Sequence, residues 1–449
     1  MVFLLFDLTV SIHRKEGRTL VLTLHSKMSL SLNSALTAWI IPLTYAAGAL
    51  IVGFTVPRLA DNVLPGFVST ISISAAIGIY SAVASGMIAL TGIVFSLTFV
   101  MVQFSATAYS PRLVLWIARD PIMSHALGVF TATFLYAIAA LAWVDRSGSG
   151  RVPLAGTVFV TVLLVVSVLM FIILIDRVGM LQVSRMLTFT ADQGRETIED
   201  LYPPLDTPAR QNSSGVPRSP CFQTLLHRGR PSIIQRVDIP VFVELARRHT
   251  CTIELVGSVG DAALEATPLI RVLGPGTPIP ADSLRSAIKF GGERTFEQDP
   301  KYAIRLLVDI AIKALSPAIN DPTTAVQTLD QIEDLLIRLG RRRLEIGSFY
   351  DTGGNLRLLM KFPSWDDFLR LALDEIRFYG AGSIQVMRRM KAVVNELMAV
   401  LPDERYPSLR QWQERLQSTI ERSFTDRLDQ LDASHEDRQG LGIPQPRNQ

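Results

Sequence analysis

Cysteine is nearly absent from this chain of 449 residues, which contains only Cys221 and Cys251. Two isolated thiols do not form a disulfide framework, and they suit a reducing compartment. The six histidines show no His-x3-His spacing and no pairing with a cysteine, which argues against a zinc site. Gly274-Pro-Gly276 is not followed by the Gly-Lys-Ser/Thr of a phosphate-binding loop. The sequence therefore predicts no metal and no cofactor.

Charge is scarce in the N-terminal part of the chain. Between residues 28 and 176, charged residues fall in three short clusters that separate four uncharged runs. The runs cover residues 28–57, 62–111, 121–144 and 152–175. Each contains at least the ~20 apolar residues that a helix needs to cross hydrocarbon. The pattern predicts a polytopic α-helical membrane protein, with the lipid bilayer as its partner, followed by a soluble α+β domain.

Several function classes are disfavoured by what is missing. The net charge is only +3, and no basic stripe is interleaved with aromatic residues, so we expect no nucleic-acid partner. No run carries a charged residue at its centre, which argues against proton-coupled and ion-coupled carriers. No Ser or Cys lies in a nucleophile motif. We therefore predict that the protein is not an enzyme and has no catalytic residues.

We predict four spans, at residues 35–56, 81–104, 123–143 and 155–175. The second run is too long for one crossing, because a helix over residues 68–104 would measure ~55 Å against ~30 Å of hydrocarbon. We expect a helix outside the hydrocarbon over residues 68–80 that leads into the span. Two crossings with a turn near Ser85-Gly86 are the alternative. Lys and Arg near the span ends are more numerous on the side of the termini, which predicts cytoplasmic N- and C-termini.

The predicted organisation has five parts. They are an N-terminal segment at residues 1–34, for which a mis-assigned start codon is one interpretation; a four-helix transmembrane domain at 35–176; a juxtamembrane helix and linker at 177–220; a soluble α+β domain at 221–431; and a disordered tail at 432–449. Within the soluble domain, the patterns predict helices at residues 282–290 and 408–428, among others. They also predict a hairpin of strands at 344–350 and 356–362.

Small residues recur along the second span. They are Ser85, Ala89, Gly92 and Ser96, followed one heptad later by Gln103, and this spacing places them on one helical face. Small residues let helix backbones approach closely in a membrane, so close packing is the interpretation that we favour. The alternative is a face that lines a pore or cavity.

The most distinctive soluble segment covers residues 293–324. Ser316-Pro317 predicts a helix end, and Asp321-Pro322 predicts an N-cap followed by a first helical position. Structural roles are thus available for its polar residues. The functional alternative is a ligand or anion loop in which Arg294, Asn320 and Asp321 meet beside the N–H groups of a helix N-terminus.

Three motifs give the chain a family resemblance. They are Ser110-Pro-Arg-Leu113, Arg294-Thr with Glu297-Gln-Asp-Pro300, and Leu315-Ser-Pro-Ala-Ile-Asn-Asp-Pro322. With these motifs, residues from about 28 to about 401 resemble the bacterial membrane proteins grouped as domain of unknown function 2254. The resemblance implies an inner-membrane protein with four spans and a C-terminal soluble domain, and it implies no activity.

Two functional hypotheses follow. The first is a homo-oligomeric channel-like or transporter-like protein whose cytoplasmic domain senses or gates. The alternative is a membrane-anchored regulatory or scaffold module without transport activity. The soluble domain's ligand is left unidentified by the sequence under either hypothesis.

Overall fold

The computed structural model describes residues 34–63, 71–108, 121–144, 152, 154–179, 183–206 and 220–442. Four long helices come first: α1 (Ser34–Val63), α2 (Ile73–Ala108), α3 (Pro121–Trp143) and α4 (Leu154–Gly179). Within the described ranges, three of them contain segments long and apolar enough to span a membrane: Ile73–Leu97, Ile122–Ala142 and Leu154–Asp176. The apolar stretch described in α1, Ile40–Thr55, is shorter.

α2 is one continuous helix of 36 residues. The predicted alternative of two crossings with a turn near Ser85-Gly86 is therefore wrong. The helix expected over residues 68–80 is present in its described part from Ile73, and it continues into the span without interruption. No charged residue lies between residues 62 and 111, so the sequence contains nothing that fixes where the span begins. The apolar segment begins at Ile73, before the predicted position 81.

α3 packs against each of the other three long helices. Its contact with α1 is close because two glycines face the crossing: a Cβ added at Gly53 would lie 2.6 Å from the Ala139 Cβ. A Cβ at Gly128 would lie 2.9 Å from the Tyr45 ring. Small residues thus let these two backbones approach, as is common between helices in membranes.

Residues 183–206 and 220–442 form the C-terminal domain, of which one half is helical and the other half contains both sheets and two helices. The helical half contains α5 (Val183–Leu201), α8 (Pro300–Ala314), α9 (Pro322–Gly340), α10 (Trp365–Tyr379), α11 (Ile384–Val400), a short 3-10 helix (Asp403–Arg405), α12 (Tyr406–Ser423) and α13 (Arg427–Ser434). Their apolar faces share one buried core, as expected for amphipathic helices.

The other half is built on two sheets with their own core. Its elements are β1 (Cys221–Leu226), β2 (Ser232–Val237), α6 (Ile239–Arg248), β3 (Thr252–Leu255), β4 (Ala262–Ala263), β5 (Pro268–Leu273), α7 (Ala281–Ser286), β6 (Ile288–Gly291), β7 (Ser348–Tyr350) and β8 (Leu356–Leu359). The strand orders are β1-β5-β3-β8-β7 and β4-β2-β6. The predicted hairpin is confirmed as β7 and β8, which pair antiparallel, and only β3 and β8 pair in parallel among the described strands.

Two predicted helices are wrong in extent. Residues 282–290 divide into α7 and β6, because Ile288–Gly291 pairs with β2 and the sheet overrides the helical pattern. Residues 408–428 divide into α12 and α13. Phe424 is buried at the corner between them, and the Asp426 carboxylate caps α13 by accepting from the Leu428 N–H at 2.8 Å.

Two domain boundaries also differ from the prediction. α5, assigned by sequence to a juxtamembrane segment, contributes Leu187 and Ile198 to the core of the C-terminal domain. The tail predicted to be disordered from residue 432 is ordered as far as residue 442. Ala433 is buried there, and the buried Asp437 accepts from the Gln439 and Gly442 N–H groups at 2.9 and 2.6 Å. Local hydrogen bonds of this kind order a polar segment that composition alone marks as disordered.

Candidate functional site

The small-residue face of α2 points away from the other described helices of the chain. Ser85, Ala89, Gly92, Ser96 and Gln103 are all exposed. The buried residues of this helix lie on the opposite side and include Ala76, Tyr80, Val83, Ala84 and Met87. We call the five exposed residues the α2 face; their exposure shows that the other described helices of the chain do not bury it.

The α2 face continues toward the N-terminus of the helix. Gly78 and Ala82 are also exposed, and the same spacing of three and four residues joins them to Ser85. A Cβ added at Gly78 or Gly92 would meet no described atom within 4 Å. Sequence reasoning missed these two positions, although the spacing that identified the other five extends to them.

Arg294 forms a buried ion pair at the N-terminal end of α8. Its Nε and one terminal nitrogen lie 2.8 and 2.6 Å from Asp299 Oδ2, and Asp299 is only 1% exposed. Gly260, at φ +91°, passes so closely over the pair that a Cβ there would lie 2.2 Å from that oxygen. Burial raises the pKa of Asp299 against the opposing effect of Arg294. The other carboxylate oxygen has no hydrogen-bond partner among the described residues.

Asn320 and Asp321 lie past the C-terminal end of α8. Asn320 has φ +49°, and its N–H donates to the Ser316 carbonyl at 2.8 Å. Asp321 caps α9 as predicted, because its carboxylate accepts from the N–H and the hydroxyl of Thr324 at 3.1 and 2.6 Å. Both residues thus have local structural roles.

The structure does not bring the three predicted ligand residues together. Arg294 lies at one end of α8 and Asn320-Asp321 at the other, and 15 residues separate the ends, about 22 Å of helix. The prediction of one anion loop is corrected accordingly. It failed because Arg294 precedes the helix and is held there by Asp299, so the helix keeps it away from the second loop.

A cleft of about 580 Å³ lies between the two halves of the C-terminal domain. Its polar lining residues are Ser258, Lys301, Glu345, Lys361, Ser364 and Asp367. Its volume is typical of small-molecule sites, and its lining combines two ammonium groups, two carboxylates and two hydroxyls. Sequence reasoning missed the cleft because its walls come from segments far apart in the chain.

Buried polar groups lie close to this cleft. The Tyr202 hydroxyl is buried without a partner among the described residues. Burial raises the pKa of Tyr202, and the nearby carboxylates of Asp299 and Glu345 add to that rise. One of the cleft's two acids is already partnered: Asp367 accepts from Ser364 and Arg370. Among the described residues that line the cleft, charged and hydroxyl groups of both halves face the same space, as in a pocket for a polar ligand.

Comparison with known proteins assigns the family. The family model described as "Predicted membrane protein (DUF2254)" matches residues 36–396. The chain therefore belongs to this family of membrane proteins of unknown function, and the resemblance stated from its motifs is confirmed.

Relatives occur in mycobacteria. An uncharacterized protein of Mycobacterium tuberculosis and one of Mycobacterium bovis are each 31% identical to this chain over 314 residues, which is 68% of the chain. The match spans 60% of the length of each relative. No solved structure matches the chain.

Proposed function

We propose that this protein is a homo-oligomeric, channel-like protein of the bacterial inner membrane whose C-terminal domain is a cytoplasmic sensor or gate. In this proposal α1 is a fourth span in addition to α2, α3 and α4. Its 30 residues correspond to about 45 Å of helix, enough for ~30 Å of hydrocarbon.

The charge distribution supports cytoplasmic termini. After the N-terminal segment is set aside, the side of the C-terminal domain carries Arg112, Arg119, Arg177 and Arg185, and the opposite side carries Arg58, Arg146 and Arg151. Positive residues favour the cytoplasmic side of a bacterial membrane.

The open α2 face is the observation on which the proposal rests. A lipid-facing surface gains nothing from six small residues in register, because larger apolar side chains make more contacts with lipid. A surface that meets the same helix of another copy gains close backbone approach. The hydroxyls of Ser85 and Ser96 and the amide of Gln103 would then lie at or beside the shared axis, where they could contact permeating ions or water.

The cleft of the C-terminal domain supports the sensing part of the proposal. It lies between two halves that have separate cores, so a ligand bound there would contact both halves. Binding energy that differs between two arrangements of the halves is what a ligand needs to shift their equilibrium. We propose no enzymatic activity for it.

Ion flux through purified protein in liposomes tests the channel. Gly92→Leu should abolish flux, because a bulky side chain would enter the shared face. The matched control is Gly48→Leu on α1, since a Cβ at Gly48 also meets no described atom within 4 Å. The control should retain flux and folding.

The size of the oligomer separates the alternatives. If Gly92→Leu abolishes flux while the oligomer persists, the α2 face lines the conducting path. If it disperses the oligomer, the face is an assembly interface. If the wild type conducts none of several ions and the oligomer is intact, the membrane-anchored regulatory module replaces the channel.

A further inference from the structure

The loop that joins α8 to α9 exposes apolar residues on a rigid backbone. Pro317, Ala318 and Ile319 are all exposed, Ile319 by 43%. The loop is closed by two backbone bonds of 2.8 Å, from the Asn320 N–H to the Ser316 carbonyl and from the Asp321 N–H to the Ala314 carbonyl. Apolar side chains exposed to solvent contribute little to the stability of the domain. A hydrogen-bonded loop that presents several of them together indicates contact with another surface.

Two aromatic residues lie beside this loop. Phe378 and Tyr379, at the end of α10, are 69% and 53% exposed, and their ring centroids are 5.3 Å apart. The next residue, Gly380, is adjacent to the start of the loop, since a Cβ there would lie 3.3 Å from Leu315 Cδ1. We call Pro317, Ala318, Ile319, Phe378 and Tyr379 the apolar end of the domain.

The path of α5 places the apolar end next to the membrane. α5 runs antiparallel to α8: a Cβ at Gly194 would lie 2.9 Å from the Ala303 Cβ, and the Thr197 hydroxyl donates to the Phe296 carbonyl at 2.7 Å. From this contact, the start of α5 at Val183 lies eleven residues back from Gly194, and the end of α8 at Ala314 lies eleven residues forward from Ala303. Each distance is about 16 Å of helix. The start of α5 therefore lies level with the end of α8, where the apolar end begins.

The start of α5 is tied to the last span. Val183 follows Gly179, the end of α4, after three residues, a distance of at most about 14 Å for an extended chain. Arg185 in the first turn of α5 also lies 3.6 Å from Asp176 at the end of the apolar segment of α4. The end of the domain that carries the exposed apolar residues is thus the end nearest the bilayer.

We propose that the apolar end docks on the bilayer surface from which α4 emerges. Ile319, Phe378 and Tyr379 enter the boundary between headgroups and acyl chains, where an aromatic ring is favoured and the Tyr379 hydroxyl can remain hydrated. The occupant is the lipid of the same membrane, and the inference does not depend on channel activity. Docking at this end leaves the cleft at the far end of α8 open to solvent.

Site-specific quenching in nanodiscs tests this contact with the full-length chain. In a background with the exposed Cys221 changed to Ser and the buried Cys251 retained, a polarity-sensitive fluorophore is attached to the one exposed cysteine made by Ile319→Cys, Phe378→Cys or Leu264→Cys. Leu264 is the matched control, because it is 49% exposed and lies in the sheet half near the opposite end of α8. All three sites are exposed, so the labelled proteins are expected to fold.

The expected result is a loss of fluorescence at positions 319 and 378 in brominated-lipid nanodiscs, a blue-shifted emission at both, and neither change at 264. Equal quenching at all three positions would overturn the proposal. Protection of 319 and 378 from both lipid-borne and aqueous quenchers would also overturn it, since the apolar end would then be covered by protein, either another copy or another part of the same chain.

Discussion

Two helices of the C-terminal domain begin with the same dipeptide, yet the aspartates do different things. Asp299-Pro300 starts α8 and Asp321-Pro322 starts α9, with nearly identical backbone angles at the aspartates, φ −127° and ψ 82° against φ −114° and ψ 81°. Asp321 caps its helix by accepting from the Thr324 N–H. The Asp299 side chain makes no cap and instead binds Arg294 in the interior.

The difference shows what an Asp-Pro signal determines. Proline at the first helical position and a short polar residue before it fix where the helix starts. They do not fix the partner of the aspartate side chain, which depends on the residues that folding places beside it. At α8 these are Arg294 and Gly260, and at α9 the partner is Thr324. One aspartate is therefore part of a buried charge pair, and the other is a partly exposed cap.

Removing the buried carboxylate should have the largest effect. Asp299→Ala leaves the Arg294 guanidinium without its partner in the interior, and breaking a buried pair costs about 3 to 5 kcal/mol. We expect a cost of about 3 kcal/mol, the lower end of this range, because Arg294 is 24% exposed and water can partly solvate its guanidinium. The free energy of unfolding of the C-terminal domain, measured by denaturant titration in detergent, checks this; a cost near that of an ordinary cap would contradict the buried-pair interpretation.

Filling the space above the pair should cost less. Gly260→Ala places a Cβ against Asp299 Oδ2 and strains a positive φ, for which we expect about 2 kcal/mol of destabilisation. Gly354→Ala is the matched control, because Gly354 also has a positive φ, +78°, but no described atom within 4 Å of an added Cβ. The excess cost at Gly260 over Gly354 measures the close approach, and equal costs would show that only backbone strain matters.

Removing the cap should cost less again. Asp321→Ala deletes one acceptor for the first turn of α9, which typically costs about 1 kcal/mol. Asp321→Asn keeps a capping acceptor and should recover most of the stability. The same denaturant titration compares both variants with Asp299→Ala, and a loss at Asp321 as large as that at Asp299 would remove the distinction between the two aspartates.

The sequence was informative where the signal was local and silent where partners came from elsewhere in the chain. The start of α9 at Pro322 and the hairpin of β7 and β8 followed from caps, turns and alternation. The spacing of the small residues also predicted that they share one face of α2. It did not predict on which side of α2 the helix α3 packs. The pairing of Arg294 with Asp299 and the cleft around Lys301 required contacts between distant segments, which no local pattern specifies.

The smallest effect on stability is expected at the exposed loop that joins α8 to α9. Ile319→Ser removes a side chain that is 43% exposed, and surface substitutions of this kind usually change stability by less than about 0.5 kcal/mol. In detergent the free energy of unfolding should therefore match that of Leu264→Ser, the matched exposed apolar residue. If Ile319→Ser instead destabilised the domain in detergent by as much as Asp321→Ala, the residue would be part of the packing of the loop, and its exposure would not point to a partner outside the domain.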